Sequence, residues 1–302
     1  STLSPSSAAS DVYKRQEHNG LTHDYFAAVL DSFKVAAEAR DYDLTFVNCG
    51  GSGGKRMTYL EHARYRGFDG IMIACVDFSE PEVLQLALSD IPVVTIDYIF
   101  NDRLAVVSDN AKGMEDLFTY IYQMGHRRIA YIHGTDSAVT TNRLSSFYRT
   151  AEKFGVEIPD EYVMMTRYRD TKGAGEATEK LLDLRRPPTC ILYPDDFAAL
   201  GGIHVIRERG MSIPEDISIA GYDGIRLAKL TVPNLTTLCQ DTQHLGQYAA
   251  EKLIDLIEKP KTAMRNITIV QGKLYEGQTV LKLDGSRAVS YTHLTLPTTE
   301  RV

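Results

Sequence analysis

Short apolar runs alternate along this chain with longer stretches of helical period, at about thirty residues per unit. The runs read as strands at 44–47, 71–75, 93–96, 105–107, 129–133, 190–193, 217–221, 237–239 and 267–270. A strand that returns to its sheet through a helix runs parallel to its predecessor, because such a crossover needs a dozen or more residues. Parallel strands are covered on both faces, so they are apolar throughout rather than alternating. The pattern predicts an α/β fold of parallel sheets flanked by helices.

The helical stretches carry matching signals. The one opening near His23 sets Phe26, Val29, Leu30, Phe33 and Ala37 on a single stripe, with Asp24 in the first turn where a carboxylate suits the helix dipole. Gly125, Gly155 and Gly210 each follow a periodic stretch as a stop signal. Ala249, Ala250, Leu253, Ile254 and Ile257 form a further face, stopped by Pro260.

At 302 residues the chain suits one large or two medium α/β lobes. Its formal charge of −7 argues against a broad basic surface that grips nucleic acid. No run approaches the roughly 18 apolar residues of a membrane span. Cys49, Cys75, Cys190 and Cys239 lie in or beside apolar runs without metal-type spacing, and are expected as buried, reduced thiols of a cytoplasmic protein. "SDVYKRQ" (10–16) and "AVSYTHLTLPTTERV" (288–302) resemble translated sequencing adapter, so residues 1–16 and 286–302 are set apart from the expected fold.

Several motifs fail on inspection. "CGGSGGKR" (49–56) has Cys49 where a phosphate loop needs glycine and Arg56 where it needs a hydroxyl, leaving a surface loop. The eight histidines show no metal spacing, and neither metal nor cofactor is expected. His126, Arg127 and Arg128 read as a solvated turn. No G-x-S-x-G elbow or reactive-cysteine setting marks an enzyme. Paired carboxylates keep a glycosidase as a minor alternative.

The strand tips are more informative, since ligands of parallel α/β sheets bind beyond the carboxyl ends of strands. Run 93–96 is followed by Asp97, run 190–193 by Pro194, Asp195 and Asp196, and run 217–221 by Tyr222 and Asp223. Run 129–133 leads through Gly134 to Arg143, early in the next helix. Buried charges need partners, so such a cluster ties itself together or awaits a polar ligand. Carboxylates accept from adjacent hydroxyls and a guanidinium donates in a fixed fork, which suits a sugar. Tyr25 and Phe26 supply an apolar face, and Gly221 and Gly224 are expected to let Asp223 point into the cleft.

"GLTHDYFAAVLDSFKVAAEARDYDLTF" (20–46), "MGHRRIAYIHG" (124–134), "PDDFAALGGIHVIRERGMSIPEDISIAGYDG" (194–224) and "PNLTTLCQDTQHLGQYAAEKLIDLI" (233–257) resemble, in order, the effector-binding core of the LacI/GalR family of bacterial transcription regulators. The resemblance covers residues 17–285. It implies two lobes of periplasmic-binding-protein-like type I fold, three hinge crossings, and a small-molecule effector between the lobes. The lobes would hold 17–108 plus 241–263, and 109–240 plus 264–285. Asp97, Arg143, Asp195 and Asp223 fall on effector-contacting positions, Tyr25 and Phe26 on the aromatic corner, and Gln240 and Asp241 on a crossing.

Three departures bear on the ligand. Asp195 stands where the family usually has Asn, which implies a more acidic pocket. Ser146 replaces a glycine, and Asp170 replaces an aromatic, leaving Tyr168 as its substitute. The family's N-terminal helix-turn-helix is not recognised, and "DVYKR" stands in the place of an apolar first strand, which predicts reduced stability. The expected function is effector sensing and dimerisation in a sugar-responsive, cytoplasmic repressor, which meets operator DNA only through that N-terminal part. An exported sugar-binding protein of a transport system is the alternative.

Overall fold

A computed structural model describes residues 9–12, 23–47, 57–100 and 102–283. In chain order the elements are β1 (Ala9–Val12), α1 (Asp24–Glu38), β2 (Leu44–Val47), α2 (Tyr59–Arg66), β3 (Ile71–Ile73), α3 (Pro81–Ala87), β4 (Val93–Ile96) and β5 (Leu104–Ser108). There follow α4 (Asn110–Gln123), β6 (Ile129–His133), α5 (Ala138–Lys153), β7 (Val163–Met165), α6 (Thr171–Leu182), β8 (Cys190–Leu192), α7 (Asp196–Glu208) and β9 (Ser218–Asp223). The last are β10 (Thr236–Cys239), α8 (Thr242–Glu258), β11 (Ile267–Val270) and β12 (Lys273–Tyr275).

They form two sheets of six strands, ordered β11-β5-β4-β3-β1-β2 and β12-β10-β9-β8-β6-β7. The described pairs are parallel except β10–β12. Parallel sheets flanked by helices are what the strand–helix alternation implies, and two lobes what the resemblance implies. Two boundaries differ from expectation: Ala9–Val12, set apart with residues 1–16, forms β1 between β2 and β3 in the first sheet. Residues 264–270 were expected in the second lobe, but β11 pairs with β5 in register Ile267↔Ala105 and belongs to the first sheet. Its β-branched Ile-Thr-Ile-Val run suits the open edge beside β5.

The chain passes between the sheets after β5, after β10 and after β11. These passages touch one another: the Asp109 amide donates to the Val270 carbonyl at 2.8 Å, and a Cβ on Gly272 would come within 2.8 Å of the Cys239 carbonyl. Two passages end in helix caps, Asp109 accepting from the Lys112 amide and Asp241 from the His244 amide.

Helix α1 buries Val29, Leu30 and Phe33 against Leu245, Ala249 and Leu253 of α8, over the first sheet. Gly246 makes that approach possible, because a methyl there would run into the Val29 carbonyl and the Phe33 amide. In the second lobe one face of the sheet packs Ile191 and Ile219 under α6 and α7, and the other packs Leu192, Ala220 and Tyr222 under α4 and α5.

Two expectations need correction. His126 is not in a solvated turn: it is buried, its ring nitrogens meeting the Thr189 hydroxyl at 2.9 Å and the Leu281 carbonyl at 3.0 Å. Burial lowers its pKa to about 4. Cys190 is buried, whereas Cys75 and Cys239 are only half-buried at strand ends. Cys49 and the loop 49–56 lie outside the described residues.

Candidate functional site

Strand β4 ends at Asp97, whose backbone takes φ 55°, a left-handed conformation that turns the chain sharply at the tip. Both carboxylate oxygens are held: Oδ2 accepts from the Tyr25 hydroxyl at 2.6 Å, and Oδ1 from the Ser108 amide at 2.8 Å. Tyr25 is buried at the opening of α1, with Phe26 edge-on to it at 4.9 Å between ring centroids. The first sheet thus presents an aromatic corner braced by a carboxylate.

The second sheet answers with Asp223, at the end of β9 with φ 103°. Its Oδ1 accepts from Gln240 Nε2 at 2.6 Å and lies 3.8 Å from Arg143 Nη2. Burial pushes the Asp223 carboxyl up to about 7, with Arg143 opposing the rise and Asp195 adding to it. Arg143 is itself buried: Nε donates to Asn110 Oδ1 at 2.7 Å, Nη1 to the Pro194 carbonyl at 3.0 Å, and the guanidinium lies 3.5 Å over the Tyr222 ring. Burial alone lowers its pKa, but Tyr222, Tyr168 and Asp223 reverse that, and the group stays charged.

Tyr25, Phe26 and Asp97 from one side and Arg143, Asp223 and Gln240 from the other line one cavity of about 240 Å3. A cavity of about 150 Å3 takes a benzene ring, so this one accommodates a single six-membered ring bearing polar groups. Tyr168 also lines it, its hydroxyl 2.8 Å from the Thr140 hydroxyl.

Asp195 behaves differently. Its oxygens accept from the Ala198 amide at 2.7 Å, as the cap of α7, and from the Arg169 amide at 2.7 Å. It lines only a small side pocket of about 10 Å3 beside Asp223. The strand tip turns directly into a helix there, and the carboxylate is spent on orphan amides, so it does not acidify the main cavity through contact. Asp196 is equally committed, accepting from the Thr237 hydroxyl at 2.5 Å and the Ile225 amide at 2.8 Å. The two glycines divide the expected task. Gly224 takes φ +72°, whereas Gly221 makes room, since a methyl there would strike Asp196 and Leu235.

Sequence reasoning missed three parts of the wall: His23, the stacked pair Phe78 and Tyr98 (centroids 4.3 Å apart), and the loop carrying Asp136 and Ser137. Tyr98 and Phe78 follow strands β4 and β3, and a search of the tips for aromatics as well as carboxylates finds them. His23 has no such signal. Among the described residues no group of His, Cys, Asp or Glu is placed to hold a metal ion, and no helix is long and apolar enough to cross a membrane.

Two lobes with a cleft walled by aromatic rings, carboxylates and one guanidinium define an effector-binding protein of the periplasmic-binding-protein type. Residues 118–280 match the periplasmic binding protein-like domain family. The repressor PurR of Pectobacterium atrosepticum is 30% identical over 240 residues, covering 77% of this chain and 70% of that protein. The ribose operon repressor of Haemophilus influenzae is 27% identical over 248 residues, 81% of this chain and 74% of its own. A LacI-family regulatory protein from Chloroflexus aggregans superposes with TM-score 0.79 at 23% identity, covering 90% of this chain and 98% of that one. The chain belongs to the LacI/GalR family of transcription regulators and comprises its effector-binding domain.

Proposed function

We propose that this domain senses a monosaccharide in the cleft and passes the signal on by hinge closure within a cytoplasmic homodimer. One lobe is built on the sheet that holds β1 to β5 and β11, and the other on the sheet that holds β6 to β10 and β12. The ligand is gripped by Tyr25, Phe26 and Asp97 of the first lobe and by Arg143, Asp223 and Gln240 of the second. Bridging both, it favours the closed arrangement about the three passages.

The observation that carries this reading is the convergence of both sheets' tips on one cavity that combines ring faces with carboxylates. Structural relatives support a sugar: a LacI-family regulator from Enterococcus faecium holds ribose (TM-score 0.77, 22% identity, 92% of this chain and 100% of that one), and the regulator CelR holds cellobiose. The cavity volume favours the smaller ligand. Exposed Leu227, Leu230 and Val232, the last 80% accessible, support association of two copies through the second lobe. Several curated relatives are named HTH-type repressors, and we assign operator contact to a helix-turn-helix part of that kind, with a coupling of about 1–3 kcal/mol between effector and operator. The same relatives disfavour an exported transport protein.

Calorimetric titration of monosaccharides tests the site. Asp223→Ala and Arg143→Lys are each expected to weaken the best ligand at least about tenfold, a loss of ~1.4 kcal/mol. Unchanged affinity in both variants removes the site assignment.

A further inference from the structure

The polar groups of the cleft are unequally distributed between donors and acceptors. Its wall carries three carboxylates, Asp97, Asp136 and Asp223, against one guanidinium, Arg143. That guanidinium has little left to offer: Nε and Nη1 are committed to Asn110 and Pro194, and Nη2 faces Asp223. The Tyr25 hydroxyl gives its proton to Asp97. The protein's own donors are therefore largely consumed within the protein.

The acceptors are not. Gln240 is 9% exposed and lines the cavity; its Nε2 donates to Asp223 while its Oε1 has no partner. Against the ionised carboxylate the Nε2-donating orientation is the favoured one, which leaves Oε1 as the unpaired atom. His23 is 8% exposed on the same wall, and its Nδ1 also lacks a partner. Burial holds this ring neutral, with a pKa lowered to about 4, so that nitrogen is able to accept. Asp223 lines the same cavity and accepts from Gln240 through Oδ1. Two buried, unpaired polar atoms beside an excess of carboxylate are costly and are relieved by a ligand that brings donors.

We propose that the cleft selects an amino sugar, placing its protonated amine against Asp223 and its hydroxyl donors toward Gln240 Oε1 and His23 Nδ1, and that it rejects uronates and sugar phosphates. The proposal rests on the sugar reading given above and adds the ligand's charge class. An ammonium group answers the net negative wall and draws Asp223 into its ionised form. An anionic ligand would need a free guanidinium or lysine, and Arg143 is already committed.

The test compares matched ligands on the unmodified chain: glucosamine, glucose and glucuronate, with their galacto and manno counterparts, by titration calorimetry at neutral pH and low salt. In the stereochemical series that binds, the amine is expected about tenfold or more tighter than the neutral sugar, and the uronate undetectable. Asp223→Asn keeps the shape and removes the charge, and is expected to bring the amine and neutral sugar to near parity. A uronate equal to or tighter than the neutral sugar overturns the charge assignment while leaving the sugar reading intact. Equal binding of amine and neutral sugar by the unmodified chain overturns the ammonium contact. Failure of every sugar to bind removes the sugar reading, and this inference with it.

Discussion

Asp223 concentrates the chemistry of the cleft in one side chain: left-handed backbone, a side chain only 10% exposed, one amide donor and a guanidinium just beyond bonding distance. Its carboxyl, raised by burial to about 7 from an ordinary 3.8, binds a proton in the folded state that the unfolded chain releases. Folded protein therefore holds more protons than unfolded protein between about pH 4 and 7, and this group's contribution is full below pH 4 and lost as pH rises to 7. Asp223→Asn removes that loss. Relative to wild type, its melting temperature is expected to climb across this window and to run parallel outside it. A constant offset from pH 4 to 8 would show that Asp223 does not carry the proton.

Among the elements, the pair α1 and α8 shows what a sequence reveals and what it hides. The apolar stripes Val29–Leu30–Phe33 and Ala249–Ala250–Leu253 are legible from spacing alone, as are β4, β6 and β9. That these two helices pack on each other is not, because they lie more than two hundred residues apart and only Gly246 permits the approach. Gly246→Ala is expected to cost about 1–3 kcal/mol by overpacking, read as a lower denaturant midpoint at constant slope. The shorter elements escaped notice for another reason. β7 and β12 have three residues each, too few to show a period, and β1 is paired between β2 and β3 despite the polar Ser10 and Asp11 in its sequence. At the site, Asp97, Arg143 and Asp223 were legible because they end strands or open helices. Asp195 caps α7 and lines only the small side pocket, a difference from Asp223 that no spacing reveals until the helix start is seen.

At the scale of the whole molecule, the cleft is the place where the two lobes can exchange contacts for ligand. A monosaccharide at a hundred times its dissociation constant is expected to add about 2.7 kcal/mol of stability. For a chain of this size that corresponds to a melting temperature higher by roughly 4 °C. Small-angle scattering on the same samples should show a smaller radius of gyration with ligand. A higher melting point without compaction would mean binding without closure, and would separate the sensing role from the hinge.

The passage after β11 has a consequence for how the protein is made. Edge strand β11 completes one sheet and β12, only a short step later, completes the other, while the Leu283 amide returns to the Met124 carbonyl. On the ribosome, neither half can close its sheet until every strand before Ile267 has emerged, so both wait for the same stretch. Assembly of the two halves is thereby synchronised by covalent order alone, and a chain interrupted just before Ile267 leaves both of them unfinished at once.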